Sequence, residues 1–427
     1  MALAAGSFKD YDGLADAAVR GSTSANATKK SFKLDLQKAD GSKDKFPFLG
    51  MPKDDQWILY GGDEVDLTQG MRNWLAYNLA RASGRYASRT VWAEVFLLDD
   101  GAAALAPAHY HGIYIALEKI KASPDRVNIT KMTPPDLSGG YIFSYENDNL
   151  EAGDVCVGPL TGWQNPFLLL DPKQKDVTQA AGWLASYLQA FQEALEAPDW
   201  LVRSPGYTTY IDGPSWVDYF LLTELTKNPD GYRGSIYLHK DKGAPMAAGP
   251  AWDYNEAFGE CCGYPVDGWQ RGGESGPGES GGSAISAEGW RFMICADPER
   301  CLVDPTDGLS RWYRRMWADP RFSGAAATRW AQLRSGVWSD ATVQEMIADT
   351  AALIKSAVLR NFERYSAVLL KPWYSGAEQE WTTEVANLQG WLLKHLAWMD
   401  GALAQAAGGT AALPVGTVAA AAGPAAP

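Results

Sequence analysis

Two short stretches of the chain carry acidic and amide side chains in a pattern that suits phosphoryl or metal chemistry: Asn228-Pro229-Asp230-Gly231-Tyr232-Arg233-Gly234-Ser235, and Trp252-Asp253-Tyr254-Asn255 within Gly249–Gly259. Phosphoryl transfer asks little covalent work of a protein. It needs a cation over the phosphates, a metal held by carboxylate or amide oxygens, and a carboxylate aimed at the acceptor hydroxyl. Asp230, on a constrained loop, suits the last role, with Asn228 and Ser235 supplying neutral oxygens. Asp253 and Asn255, two apart on a segment read as extended, would point to one side and share a divalent ion such as Mg2+. A third stretch, Arg20-Gly21-Ser22-Thr23-Ser24 followed by Lys29-Lys30-Ser31-Phe32-Lys33, offers backbone N–H groups in a turn and an ammonium from the strand that follows. Each stretch also has an ordinary reading: a helix end with a type I turn for 228–235, a cap for Asp253, a solvated basic loop for the third.

The elements that must position these residues follow from hydrophobic period. Ser31–Leu36 alternates with Phe32, Leu34 and Leu36 on one face, Trp57–Tyr60 is a short apolar strand, and Met71–Ser83 has helical spacing with a stop at Gly84. Thr90–Leu98, Gly112–Ile120 and Gly139–Asn147 read as further strands. Helical patterns then cover Ala180–Glu196 and Ser215–Asn228, the second stopped by Pro229, and a hairpin turns around Lys240-Asp241-Lys242-Gly243-Ala244-Pro245. Beyond Trp290 helices are expected at Leu309–Ala318, Gly324–Ser335, Ala341–Val358 and Thr382–Leu403. Residues 263–289, rich in Gly, Ser, Glu and Pro, are expected to form a flexible insertion, and 406–427 a low-complexity tail outside the fold. The reading is α+β: a strand-rich N-terminal lobe at about 15–150 and a helical C-terminal lobe at about 175–405, within one domain spanning 1–405, with a ligand held between the lobes.

Composition narrows the function classes. A hydrophobic share of 46%, with 18 Trp and 19 Tyr in 427 residues, marks a core-forming chain, and Trp74, Trp216, Trp391 and Trp398 are expected in that core. A formal charge of -13 argues against sequence-independent nucleic-acid binding, which needs a basic stripe. No window is long and apolar enough for a transmembrane helix, and no signal peptide is visible at the N-terminus. Cys261, Cys262, Cys295 and Cys301 suit loop disulfides or plain thiols more than a zinc site or a catalytic thiol. His109 and His111 read as surface residues rather than metal ligands.

Taken in order, RGSTS with KKSFKL, LGMP with WILY, MRNWLAYNLAR with GRYA, HGIYIALEKI, GGYIF, LTKNPDGYRGSIYLHKD, MAAGPAWDYNEAFG and WLLKHLAWMD resemble the successive signature segments of spore coat protein H (CotH) kinases across almost the whole chain. The resemblance implies an atypical protein-kinase-like two-lobed fold, ATP with Mg2+ or Mn2+ between the lobes, and transfer of the γ-phosphate to hydroxyls, typically serine, of a protein substrate; the chain is expected to be a monomer. By motif, Asp230 matches the catalytic-loop aspartate and Asp253 the metal-binding aspartate, with Asn255 as second ligand. Arg20, Ser22, Ser24 and Ser235 fall in the nucleotide-binding segments. Lys30 is the choice for the phosphate-contacting lysine, with Lys29 and Lys33 as alternatives. Glu118 would lie near the adenine or pair with a cation, its ordinary reading being a solvated strand end. Two positions depart from the pattern. Asn255 stands where many relatives have an aspartate, and the helix at 71–83 has Arg72 and Asn78 where a glutamate would hold the lysine, a role left to Glu94 or Glu118. These departures motivate an alternative, a catalytically impaired kinase-like scaffold acting as an adhesin or structural surface protein. The resemblance also implies a secreted or cell-surface location, with export residues upstream of this start.

Overall fold

The alternating Ser31–Leu36 segment becomes strand β2 (Ser31–Gln37), hydrogen-bonded on one side to β1 (Leu14–Arg20) and on the other to β3 (Gln56–Tyr60) in the computed structural model. Residues 11–21, 23–62, 66–146, 150, 153–173, 177–260, 286–293, 308–372 and 374–406 are described. The first sheet is completed by β5 (Tyr110–Glu118) against β3 and β4 (Thr90–Phe96) at the edge, giving the antiparallel order β1-β2-β3-β5-β4. Its β5 is apolar on both faces and almost wholly buried, as a central strand covered on two sides must be.

A second antiparallel sheet has the order β10-β9-β6-β8-β7, built from β6 (Tyr141–Tyr145), β7 (Cys156–Val157), β8 (Phe167–Asp171) and the hairpin of β9 (Ile236–Lys240) and β10 (Met246–Ala248). The expected hairpin is therefore present. Strand β6 does not stay with the strands that precede it: it is inserted between β8 and β9, with Tyr145 opposite Ile236.

Helix α1 (Met71–Ala82) starts after Gly70, whose φ of 100° suits glycine, and α2 (Val177–Glu196) follows the second sheet's β8. Helix α3 (Gly213–Thr226) is capped by the Asp212 carboxylate, which accepts from Ser215 N, and ends at Lys227 in the left-handed region, two residues before Pro229. The C-terminal helices are α4 (Ser310–Trp317), α5 (Pro320–Arg334), α6 (Asp340–Arg364), the single turn α7 (Ser366–Leu369) and α8 (Ala377–Ala406). Asp319 and Ser339 cap α5 and α6. The eight helices and two sheets of the described residues make this an α+β fold. Among the described residues no helix is long and apolar enough to cross a membrane.

One apolar cluster runs from Ile58 and Leu75 under the first sheet through Phe143 and Phe167 to Trp312, Val358 and Leu396. Trp216 lies fully inside it, and Trp74, Trp391 and Trp398 pack against it as expected. Trp312 is its crossing point: its ring contacts Trp163, Phe167, Phe191 and Trp216. Two expectations are corrected. His109 is buried rather than on the surface, its Nδ1 accepting from Ala106 N and its Nε2 facing Asp100 at 3.1 Å, because it closes a tight turn into β5. Residues 286–289, assigned to a flexible insertion, are fixed against α3 and α8 by hydrogen bonds from Lys227 and His395. The cysteines at 261, 262, 295 and 301 lie outside the described residues; Cys156 is an exposed free thiol.

Candidate functional site

The α3 C-terminus, the β9 start and the loop after β10 converge on Asp253. The Asn228 side chain makes the link: its amide donates to Asp253 O at 2.9 Å, and its carbonyl Oδ1 accepts from Asp230 N at 3.3 Å. Ser235, entering β9 with φ of 53°, donates its hydroxyl to Asp253 Oδ2 at 3.1 Å. From the other side the phenol of Tyr77 on α1 accepts from Asp253 N at 3.1 Å, and Asn73 Oδ1 accepts from Tyr254 N at 2.6 Å. Asp253 itself has φ of 62°. A non-glycine residue held there by three neighbouring side chains is a strained position of the kind that clusters at functional sites. The Asp230 carboxylate is half-buried, 3.6 Å from the Arg233 guanidinium.

Glu146, one residue past β6, is the acidic partner that sequence reading missed. Its carboxylate accepts from Ser235 N at 3.0 Å and lies 3.4 Å from Ser235 Oγ, so the carboxylates of Glu146 and Asp253 meet at one hydroxyl. Burial pushes the Glu146 carboxyl up to about 7, with the nearby Asp253 charge adding to the rise and the bonds from Ser235 opposing it. The signal available in the sequence was a lone carboxylate directly after an apolar strand; what gave it meaning was the pairing of β6 with β9.

The basic side chains divide differently from expectation. The Arg20 guanidinium, at the end of β1, lies 5.5 Å from the Trp252 ring centre and acts electrostatically on Tyr77 and Tyr237, which places a cation beside the Asp253 corner. Gly21 has φ of 114°, and a Cβ there would collide with Ser24 Oγ, so the turn after Arg20 depends on glycine. Ser22 lies outside the described residues. Lys30 donates to Ala25 O at 2.9 Å and is half-buried. Its neighbour Lys29 is the buried lysine: it donates to Ile113 O at 2.5 Å, sits 4.7 Å over the Tyr114 ring, and burial holds its pKa well below the usual value against the pull of Asp66. Lys33 is half-buried, 3.8 Å from Asp35.

Neither proposed glutamate holds a lysine of that segment. Glu94 binds Arg360 through both oxygens, and Glu118, of the two roles suggested, takes that of a cation partner: fully buried, it accepts from Arg89 N at 3.0 Å and Arg89 Nη1 at 2.9 Å. The solvated reading of Glu118 is thereby excluded. On α1 the polarity is inverted, with the helix contributing the cation. Arg72 is buried between Asp66 at 2.9 Å and Glu260 at 2.5 Å and donates to Ala257 O, so α1 is tied to the chain that follows Asp253.

The expected pairing of Asp253 with Asn255 rested on an extended backbone. Strand β10 ends at Ala248 and the left-handed Asp253 breaks the alternation, so Asn255 starts a turn instead. Among the described residues no group of three or more His, Cys, Asp or Glu side chains could hold a metal ion. What is present is two carboxylates, Glu146 and Asp253, around a hydroxyl and an amide-rich loop. All are hard oxygen donors, and two carboxylates completed by substrate phosphates is how Mg2+ is commonly held. The donor set fits Mg2+ or Mn2+.

A family model described as CotH kinase protein matches residues 17–399. No curated protein matches the chain.

Proposed function

This chain belongs to the CotH kinase protein family, and from that premise we propose that it transfers the γ-phosphate of ATP, with Mg2+ or Mn2+, to hydroxyl groups of a protein, serine foremost. The observation that carries the proposal is the tie between the two acidic loops: the Asn228 amide and the Ser235 hydroxyl hold the Asp230 loop against Asp253. In this reading the two sheets and their helices form the lobes of an atypical kinase-like fold. A divalent ion, when bound, neutralises the charge of the nucleotide phosphates. Asp253 and Glu146 are the residues that would hold it, and Ser235 orients the Asp253 carboxylate. Arg20 presents its guanidinium to the same corner, where it balances phosphate charge, with Ser24 shaping the turn behind it and Lys30 as a second cation of that segment. Asp230 accepts the proton of the acceptor hydroxyl and aligns its oxygen for attack. The overall negative charge does not oppose this reading, since the Arg20 guanidinium sits locally beside the acidic corner.

The test is incorporation of labelled phosphate into a generic serine-containing acceptor in the presence of Mn2+ or Mg2+. Loss of incorporation in both Asp230→Asn and Asp253→Asn supports the proposal; incorporation that survives Asp253→Asn sinks it. Nucleotide binding is read separately by thermal shift, since a ligand at a hundredfold over its Kd stabilises by about 2.7 kcal/mol. Asn255 in place of an acidic residue favours a second reading, a scaffold with impaired catalysis. That reading expects no shift with ATP and metal together.

A further inference from the structure

We infer that Arg291 is a positioning residue for Asp230, acting through the backbone of the loop that carries it; the inference rests on the phosphotransfer reading only for its activity readout. Residues 286–293 cross the C-terminal end of α3 as a strap. Lys227 Nζ donates to Ser286 O at 3.0 Å and Glu288 O at 2.5 Å, and Trp290 packs its ring among Phe220, Trp317 and Trp398. At the centre of the strap Arg291 is 4% exposed. Its amide donates to Glu224 Oε2 at 2.6 Å, while its guanidinium donates to Asn228 O at 3.2 Å and to Pro229 O.

Those two carbonyls belong to the peptides immediately before Asp230. They lie past the end of α3, where the helix leaves unsatisfied carbonyls and a partial negative charge, so a buried guanidinium there is both a donor and a favourable charge. A planar fork bonded to two successive carbonyls fixes the peptide orientation more tightly than a single bond. The same short loop must also aim the Asn228 side chain, which bridges Asp230 N and Asp253 O. Rotation of the 228–229 peptide would turn that amide away and swing the Asp230 carboxylate with it. Within the loop, Gly231 N donates to Asn228 O, and Arg233 N and Gly234 N donate to Asp230 O. The guanidinium touches no atom of Asp253 or Glu146 in any of these bonds; it bonds the loop backbone and its charge also acts on the Asp230 carboxylate, so its influence converges on Asp230.

The test compares Arg291→Met and Arg291→Lys in the full chain. Native-state hydrogen exchange, which needs no activity, is expected to show the Gly231, Arg233 and Gly234 amides exchanging at least about tenfold faster in Arg291→Met, with α6 amides unchanged. Unchanged loop amides overturn the inference whether or not the protein transfers phosphate. Where incorporation is measurable, turnover falls about tenfold to a hundredfold while KM for ATP stays within about twofold, since small misplacements of a catalytic group cost on that scale. Arg291→Met combined with Asp230→Asn is then no slower than Asp230→Asn alone, because the guanidinium acts only through that carboxylate. An additive loss overturns the inference. Arg291→Lys keeps the charge without the fork and is expected between wild type and Met; if it alone folds, its exchange pattern decides. An Asp230→Asn protein as active as wild type refutes the phosphotransfer reading and leaves the exchange result to stand by itself.

Discussion

Replacing Glu146 by glutamine keeps the shape of the acidic corner and removes its titration. In the folded protein the Glu146 carboxyl is raised from 4.5 to about 7, first by burial and then by the nearby Asp253 charge. A group whose folded pKa lies above its unfolded value contributes stability that is complete below pH 4.5 and lost as the pH rises through about 7. At about 1.36 kcal/mol per unit, that interval corresponds to about 3 kcal/mol. Urea unfolding of wild type and Glu146→Gln without divalent ions, from about pH 4.5 to about pH 8, is therefore expected to diverge by about 3 kcal/mol in favour of the glutamine at the alkaline end. A metal held there must displace the proton. Mn2+ affinity of the wild type should then climb up to about tenfold per unit below pH 7 and level off above it, and the glutamine variant should bind more weakly with a flatter profile. Parallel stability curves, or identical metal profiles, would refute the claim that Glu146 shares the corner with Asp253.

Glu118→Ala should destabilise the fold by about 3–5 kcal/mol, because it removes the buried carboxylate that faces Arg89 and leaves the buried Arg126 guanidinium without it, while leaving ATP affinity unchanged; denaturant unfolding and thermal shift separate the two. Trp312→Ala, removing a fully buried ring where four aromatic neighbours meet, should cost about 3–5 kcal/mol by the same unfolding measurement. His395 sits between the carbonyls of Ala287 and Glu224, and burial depresses its pKa from 6.5 to about 4. Its contribution is present above pH 6.5 and lost as the pH falls toward 4, so His395→Gln should flatten the acid side of the stability profile.

Much of this architecture was legible because its signals are local. Strand β2 alternates, α1 has helical spacing and a glycine stop, and the β9–β10 hairpin is bracketed by a turn sequence. Strand β1 was not legible: Leu14 and Val19 are exposed at 58% and 49%, so it buries no face and shows no alternation. Strand β8 was missed because Phe167–Leu170 is a short unbroken apolar run. Asp230 and Asp253 were visible as motifs, but the cluster around them was not. Glu146 reaches Ser235 only because Tyr145 pairs with Ile236, a register that no local pattern encodes. The left-handed backbone of Asp253 likewise follows from bonds to Tyr77, Asn228 and Ser235, not from its own sequence.

The insertion of β6 between β8 and β9 has a consequence for synthesis. As the chain leaves the ribosome, β6 can pair with β8 soon after it emerges, but its other edge waits for β9, about 90 positions later. Until then a wholly buried five-residue apolar strand presents an open row of amides and carbonyls, which is a template for unwanted pairing. A product truncated before residue 235 would keep the first sheet's strands yet leave that edge uncovered and Glu146 without Ser235, so a nascent chain cannot assemble its acidic corner early.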